Sequence, residues 1–489
     1  MSPHPKSSLP PAFQRLAWSN LAAQLAEQIG LAAAPLVAVL TLSAGEAATG
    51  VLQTAQTLPF LLFSIPAGVW ADRMPRARLM SRAELLRVVS LLVITAFVTL
   101  GGLNLFLLAV LGFIGACGTV AFSVAAPALV PALVEPNALP VANGRIELAR
   151  TTAFAAGPAL GGALVGWIGG SLAFAVAALL SASAVILLAG VREPPTLLGS
   201  PRHPLIGVRE GATFVFYHPL LRPILLTQFI FNTALFVIQA IYVPYAIHTL
   251  QLSATGVGVT LAAFGVGMIV GAVFAARIMR RLRLGTVVAI GPICGVAAAL
   301  TMLLTIVIPS GLLAALSFFL MGSGPIVWVV STTTLRQTVT PRDLLGRVSA
   351  INSLAYGARP LGAAIGAAVG GLFGAPACLA LAAVGFALQA GVILLSPVVH
   401  LERQPASGLI VNSPASGGCQ PLLHRRLARL VEVNLGVDVI HPIDCDDVML
   451  PAGSRIVLGQ QDAIRALHVV DRADMLVVRA EHFHMIPNV

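Results

Sequence analysis

The stretch Gly68-Val-Trp-Ala-Asp72-Arg73-Met-Pro75-Arg76-Ala-Arg78-Leu79 decides how the chain is read. Long apolar runs flank it, Thr49 to Ala67 on one side and Leu85 to Leu100 on the other. Each is long enough to cross a bilayer as a helix. The stretch is therefore expected to be a tight, charged turn between two membrane helices, lying on the side where arginines accumulate.

The rest of the 489 residues supports a polytopic membrane protein. The chain is 57% hydrophobic and only 10% charged, with a mean hydropathy of +0.91. So little charge is foreign to a soluble protein of this size. The basic residues, Lys6 and 28 arginines, cluster at 15, 73–87, 145–150, 192–222, 277–283 and 336–347. The short loops near Gly45, Gly102, Gly169, Ser253, Ser310 and Gly374 carry no Lys or Arg. This alternation is the positive-inside pattern and predicts that both termini are cytoplasmic. The net charge of +10 thus reports topology and contact with membrane lipids, not nucleic-acid binding. No cleavable signal peptide is expected, because Met1 to Phe13 is polar and Pro-rich and the first apolar run continues as a full span. The five cysteines lack a framework spacing, and Cys117, Cys294 and Cys378 read as small packing residues.

Twelve apolar spans are expected, at 16–41, 49–70, 83–101, 105–128, 144–167, 171–190, 222–247, 255–276, 285–307, 311–333, 347–371 and 376–397. They group into an N-terminal six-helix bundle over 1–191 and a C-terminal one over 222–400. A cytoplasmic linker at 192–221 separates them, with an amphipathic helix over Leu205 to Tyr217. The halves repeat. Gly144-Arg145 and Gly157-Pro158 precede Gly346-Arg347 and Arg359-Pro360 by 202 residues, and Gly68 has a partner in Gly271. Two parallel repeats with a binding site between them near the midplane follow from this duplication. The fold class is all-α, with a small α+β tail over 401–489. That tail holds ten acidic and eight basic residues. Ser407 to Gly418 reads as a linker, His424 to Val433 and Gln461 to Leu467 as helical, Arg455 to Leu458 and Met475 to Val478 as strands.

Polar residues inside apolar helices mark where substrate passes. Asn20, Gln24, Glu27 and Gln28 share a face of the first helix, and Gln228, Asn232, Gln239 and Tyr242 a face of the seventh. Facing lipid, these amides would lack partners, so a water-filled cavity is expected between them. Inter-helix hydrogen bonding that holds the bundle together is the other reading. Gln24, Gln28, Gln228, Asn232, Gln239 and Tyr242, with Tyr245 beside them, are the candidate substrate contacts. Glu27 reads as the one acid well inside a span, and Arg359 lies at similar depth in the eleventh. A carboxylate holds its proton more tightly when desolvated and less tightly beside an arginine. A Glu27–Arg359 contact that breaks as the halves rock is therefore a candidate proton-coupling device. A static ion pair is the alternative.

The loop quoted first resembles the one between helices 2 and 3 of the major facilitator superfamily. The resemblance implies that Gly68, Asp72, Arg73 and Arg76 form a latch on the cytoplasmic face. Trp70 and Pro75 depart from the family pattern but leave Gly68, Asp72 and Arg73 intact. Gly157-Pro158-Ala159-Leu160-Gly161-Gly162 resembles the Gly-Pro motif of the superfamily's antiporters, which implies a gating role for Gly157, Pro158 and Gly161. Generic small-residue packing competes with that reading, since Gly-x-x-x-Gly recurs at Gly162/Gly166, Gly267/Gly271 and Gly362/Gly366. Pro127-Ala-Leu-Val-Pro131, Leu139-Pro-Val-Ala-Asn143-Gly, Arg209-Glu210-Gly211 with His218-Pro219-Leu220-Leu221-Arg222, and Gly346 to Asn352 are similar to the branch of macrolide-efflux and enterobactin-exporter proteins. The resemblance covers Phe13 to about Pro397 and leaves the tail unaccounted for.

The expectation is thus a secondary transporter of the bacterial inner membrane, exporting an amphipathic small molecule in exchange for protons. It is not expected to be an enzyme, to need a cofactor or to bind a metal, and it is expected as a monomer. Cys419, His424, His441 and Cys445 imitate a zinc site only loosely. No Gly-x-x-x-x-Gly-Lys-Ser/Thr loop is present, which argues against ATP-driven transport. Uptake by the same kind of protein, or a membrane sensor signalling through its tail, are the alternatives.

Overall fold

The computed structural model describes residues 9–135, 138–191, 193, 204–341, 344–402, 468–472 and 475–479. In the first unit, within residues 1–410, the regular elements among the described residues are all helical. Its first half comprises α1 (Pro11–Leu42), α2 (Glu46–Arg73), α3 (Arg76–Thr99), α4 (Leu105–Leu133), α5 (Leu139–Ile168) and α6 (Gly170–Ala189). A shorter α7 (Pro204–Tyr217) leads into α8 (Leu221–His248), α9 (Ala254–Arg281), α10 (Leu284–Leu304), α11 (Gly311–Val339), α12 (Leu345–Leu354) and α13 (Ala358–Leu394). Among the described residues nine helical segments are long and apolar enough to cross a membrane. Of the long helices, α2 and α3 fall outside that set. Gln53, Thr54, Gln56 and Thr57 thin the hydrophobicity of α2, and Arg82, Glu84 and Arg87 put three charges into α3.

The opening stretch is more helical than its sequence suggests. α2 continues through Gly68 and Asp72 to Arg73, and α3 begins at Arg76, so only Met74 and Pro75 turn. Proline forces the residue before it out of helical geometry, and Met74 accordingly sits at φ −139°, ψ 158°.

A second difference concerns the expected spans 347–371 and 376–397. α12 ends at Leu354, a 3-10 turn covers Ala355–Gly357, and α13 starts at Ala358. Pro360 has no N–H to donate to Tyr356, which breaks the ladder there. α13 then runs through both expected spans with one break, at Gly374 (φ 77°, ψ 176°).

That glycine has a counterpart. Gly169, between α5 and α6, has φ 91° and ψ 163°, a region open essentially to glycine alone. The same correspondence relates other elements. Among the described residues, Ser43 after α1 and Gln251 after α8 are the two left-handed non-glycine residues, at φ 54° and 53°. Asn104 caps α4 through Leu107 N at 2.8 Å, and Ser310 caps α11 through Leu313 N at 3.5 Å. Pairs of this kind, about two hundred residues apart throughout, are what a duplicated bundle leaves in its loops.

Two seams join the halves. A Cβ on Gly162 of α5 would lie 2.5 Å from Ala254 O and 2.7 Å from Gly258 Cα of α9. One on Gly258 would lie 2.5 Å from Pro158 O. On the other side a Cβ on Gly50 of α2 would lie 2.5 Å from Ala367 Cα of α13. Backbones therefore touch backbones in the halves of these helices nearest the arginine-free turns at Ser43, Gly169, Ser253 and Gly374.

The linker helix α7 packs on α12: Glu210 pairs with Arg347, and Val215 clusters with Leu221, Val348 and Ile351. In the second unit, residues 411–489, the described part is an antiparallel pair, β1 (His468–Arg472) and β2 (Met475–Arg479), in the register His468↔Arg479 to Arg472↔Met475. The expected strand Met475–Val478 falls in β2. The other expected tail elements, and the residues of the loose zinc-like set, lie outside the described residues.

Candidate functional site

A cavity of about 370 Å³ lies between the halves and is lined from both. That is within the usual range for small-molecule sites. Its walls are apolar and aromatic, with Phe60, Phe154, Phe231, Phe236, Phe264 and Phe318 among them. Amides interrupt the apolar surface: Gln28 of α1, Gln53 and Gln56 of α2, Gln228, Asn232 and Gln239 of α8, and Gln389 of α13. Gln56 Oε1 and Gln389 Nε2 are buried without a hydrogen-bond partner among the described residues.

Of the sequence-based substrate contacts, Gln28, Gln228, Asn232, Gln239 and Tyr242 line this cavity. Asn232 donates to Gln228 O at 2.8 Å, and Gln228 Nε2 reaches Asn352 O at 3.5 Å. Tyr242 donates to Thr260 and stands edge-on to Phe318, with centroids 4.7 Å apart. Gln24 is half-buried and outside the lining. Tyr245 is also outside it, because its hydroxyl pairs with Thr305 at 2.8 Å inside the second bundle.

Glu27 and Arg359 both face the cavity, but the ion pair of Glu27 is with Arg87 of α3, at 4.0 Å. Arg359 has no carboxylate within 4.0 Å among the described residues. Its guanidinium lies 4.5 Å from the ring centroid of Tyr356, 5.3 Å from Phe60 and 5.4 Å from Phe236, and Nε donates to Asn232 Oδ1 at 3.4 Å. Aromatic faces attract a guanidinium, so the arginine is held in place without a local countercharge.

The sequence reading of Glu27 as the one deep acid needs correcting. Glu84 of α3 is fully buried, 2.8 Å from Arg87 and accepting from Ser181 Oγ at 2.9 Å. The spacing obscured it, because the span was expected to begin at residue 83, whereas α3 begins two turns earlier. Arg87 also donates to Ala23 O at 3.1 Å and Thr119 Oγ1 at 2.6 Å. Arg150, the remaining arginine of the lining, is held by Glu147 at 2.6 Å. Gln53, Gln56, Arg87, Arg150 and Gln389 were missed, although polar residues inside apolar runs are themselves the signal.

The motif residues fall in two places. A Cβ on Gly161 of α5 would lie 3.0 Å from Ile29 O of α1, and one on Gly157 would collide with Gln28. Pro158 lines the cavity, and its carbonyl meets Gly258. One stripe of α5 thus seats against α1 while the next, Pro158 and Gly162, seats against α9 across the seam. Near the charged turn, Arg73 is exposed and Gly68 has open space where a Cβ would stand. Arg76 pairs with Glu193 at 3.3 Å, and the other carboxylate oxygen of Glu193 accepts from Ala77 N at 3.3 Å. The acid beyond α6 therefore caps the first turn of α3, where unpaired N–H groups favour negative charge. The Asp72 side chain lies outside the described residues.

Two helical halves around one mixed polar and aromatic cavity define a membrane transporter of the major facilitator type. Solved structures share the fold. A bacterial homologue of the iron transporter ferroportin, in an inward-facing state, aligns with 78% of this chain and 98% of its own at a TM-score of 0.60 and 17% identity. A POT family transporter aligns with 79% of this chain and 96% of its own at 0.63 and 12%. The chain belongs to the family described as transmembrane secretion effector, whose model matches residues 10–415. Among curated relatives, the multidrug efflux pump Tap of Mycolicibacterium fortuitum is 28% identical over 328 residues, covering 64% of this chain and 78% of Tap. The enterobactin exporter EntS of Escherichia coli is 30% identical over 301 residues, covering 60% of this chain and 68% of EntS. An MFS-type transporter of Sinorhizobium fredii, y4rN, is 32% identical over 250 residues, and the match spans 60% of its length.

Proposed function

We propose that this chain exports an amphipathic small molecule across the bacterial inner membrane by alternating access, in exchange for protons carried by Glu27. The observation that carries the reading is the cavity, to which both halves bring amides and aromatic rings and the first brings a cavity-facing carboxylate. The efflux proteins Tap and EntS among its relatives favour export over uptake.

On this reading the chain crosses the membrane twelve times: the nine apolar segments, α2 and α3, with α13 counted as two crossings about Gly374. Both termini are then cytoplasmic and the arginine-free loops face outward. The glycine seams accordingly seal the outer side, and substrate enters from the cytoplasm. Gln28, Gln228, Asn232, Gln239 and Tyr242 bind it. Rocking of one half against the other opens the seam at Pro158, Gly162 and Gly258 and moves Arg359 away from Glu27. The charged turn with Asp72, Arg73 and Arg76 steadies the cytoplasmic closure.

Inverted membrane vesicles with and without an imposed pH gradient provide the test. Glu27→Gln keeps the shape of the side chain but cannot ionise. It should still exchange substrate down a gradient and should not concentrate it, while Glu27→Asp should recover part of the pumping. Concentration by Glu27→Gln equal to the parent's would move the proton site elsewhere.

A further inference from the structure

We propose that Glu84 is a positioning residue for the coupling site: it reserves Arg87, so that the remaining countercharge for Glu27 is Arg359, on the opposite half. The inference rests on the reading of Glu27 as the proton carrier and names what makes its charge respond to conformation.

Glu84, Arg87 and Glu27 all belong to the first bundle. Arg87 stands 2.8 Å from Glu84 and 4.0 Å from Glu27. Its other bonds, to Ala23 O and Thr119 Oγ1, tie it to α1 and α4. Glu84 is pinned in turn by Ser181 of α6 and has no exposed surface. Around it the packing is closed: a Cβ on Gly118 of α4 would run into the carbonyl of Ala83. Glu84 and Glu27 therefore share one arginine, which stands nearer to Glu84, and with both acids ionised the trio carries one negative charge in excess, which falls on the more distant partner, Glu27.

The groups facing Glu27 from the other elements decide where that excess is balanced. α2, α4 and α8 present amides and hydroxyls to the cavity and no charge among the described residues. Arg150 of α5 is engaged by Glu147. Arg359 of α13, with no carboxylate within 4.0 Å among the described residues, is the remaining cation of the lining among those residues. When the halves separate at this level, Glu27 loses Arg359 and the first half must take up one proton to be neutral. Without Glu84, Arg87 would turn to Glu27 and hold it charged in every state. An uncompensated buried charge is expensive, so the stoichiometry follows from the side chains present.

The test needs no known substrate. The purified full-length chain is followed by infrared difference spectroscopy between alkaline and acidic buffer, reading the protonated-carboxyl stretch. Glu27→Gln defines the part of the signal that belongs to Glu27. Glu84→Gln should lose that part, because Arg87 then keeps Glu27 ionised. Arg87→Gln leaves two acids for one cation and should gain a second carboxyl signal of comparable size. Glu84→Gln/Arg87→Gln should return the signal to the parent's amplitude, which a purely structural role does not predict. If Glu84→Gln fails to reach the membrane, the double variant carries the test. A double variant that is folded but lacks the Glu27 signal overturns the proposal, as does a full Glu27 signal in Glu84→Gln. If Glu27→Gln itself changes nothing, the proton-carrier reading fails instead, and the two failures are distinct.

Discussion

His218 shows how one side chain outside the membrane ties local chemistry to pH. It sits at the turn between α7 and α8, where its Nδ1 accepts from Leu220 N at 3.2 Å and Leu221 N at 3.4 Å. Its ring lies against Phe214, with centroids 5.4 Å apart. Accepting at Nδ1 requires the neutral ring, and burial pushes the His218 pKa below the ordinary histidine value. The sign follows from the lowered folded-state value. The cap contributes fully above about pH 6.5, and its contribution is withdrawn as the pH falls through the lower folded-state pKa. Thermal melting of the purified chain should therefore fall on acidification. His218→Asn keeps an acceptor that does not titrate in this range, and should remove that part of the pH dependence while costing less than about 1 kcal/mol at neutral pH. An unchanged pH slope in the variant would assign the acid sensitivity to other groups.

At the scale of elements, the α5–α9 seam has the least room for change. With Pro158 O 2.5 Å from where a Gly258 Cβ would stand, an added methyl group must move backbone, because no flexible side chain can yield. Overpacking of this kind typically costs about 1–3 kcal/mol. Here the cost falls on the closed seam alone, so Gly258→Ala should shift the population toward the arrangement in which α5 and α9 are apart. Spin labels on the arginine-free ends of the two helices should report longer distances in the variant, and transport should slow. Gly391→Ala is the control, since its Cβ would meet open space. Equal distances in parent and Gly258→Ala would mean that the seam absorbs the methyl by local adjustment.

At the scale of the molecule, the sequence made the helices legible wherever the chemistry was uniform. Apolar runs with arginines beyond one end and an arginine-free turn at the other located α4, α6 and α10 to within about five residues, because such a run can do little else in lipid. It was less informative where two demands met. Arg76, Arg78 and Arg82 made the start of α3 look like loop and left Glu84 at the mouth of the expected span, where a buried pair cannot be distinguished from two surface charges without its partner Ser181. Tyr245 shared the polar face of α8, yet its direction is set by Thr305, sixty residues away. The division of the Gly157–Gly166 stripe between α1 and α9 likewise needed the neighbours. The docking of α7 carries a consequence for how the chain can be divided. Through Glu210–Arg347 and the Val215 cluster, the linker helix belongs with the second bundle. Two separately translated pieces, one ending at Val191 and one starting at Pro204, should therefore find each other and co-purify when expressed together. Pieces divided at His218 instead would strand α7 on the wrong partner and leave Val348 and Ile351 uncovered. Recovery of both kinds of pair in equal yield would show that α7 is only a tether.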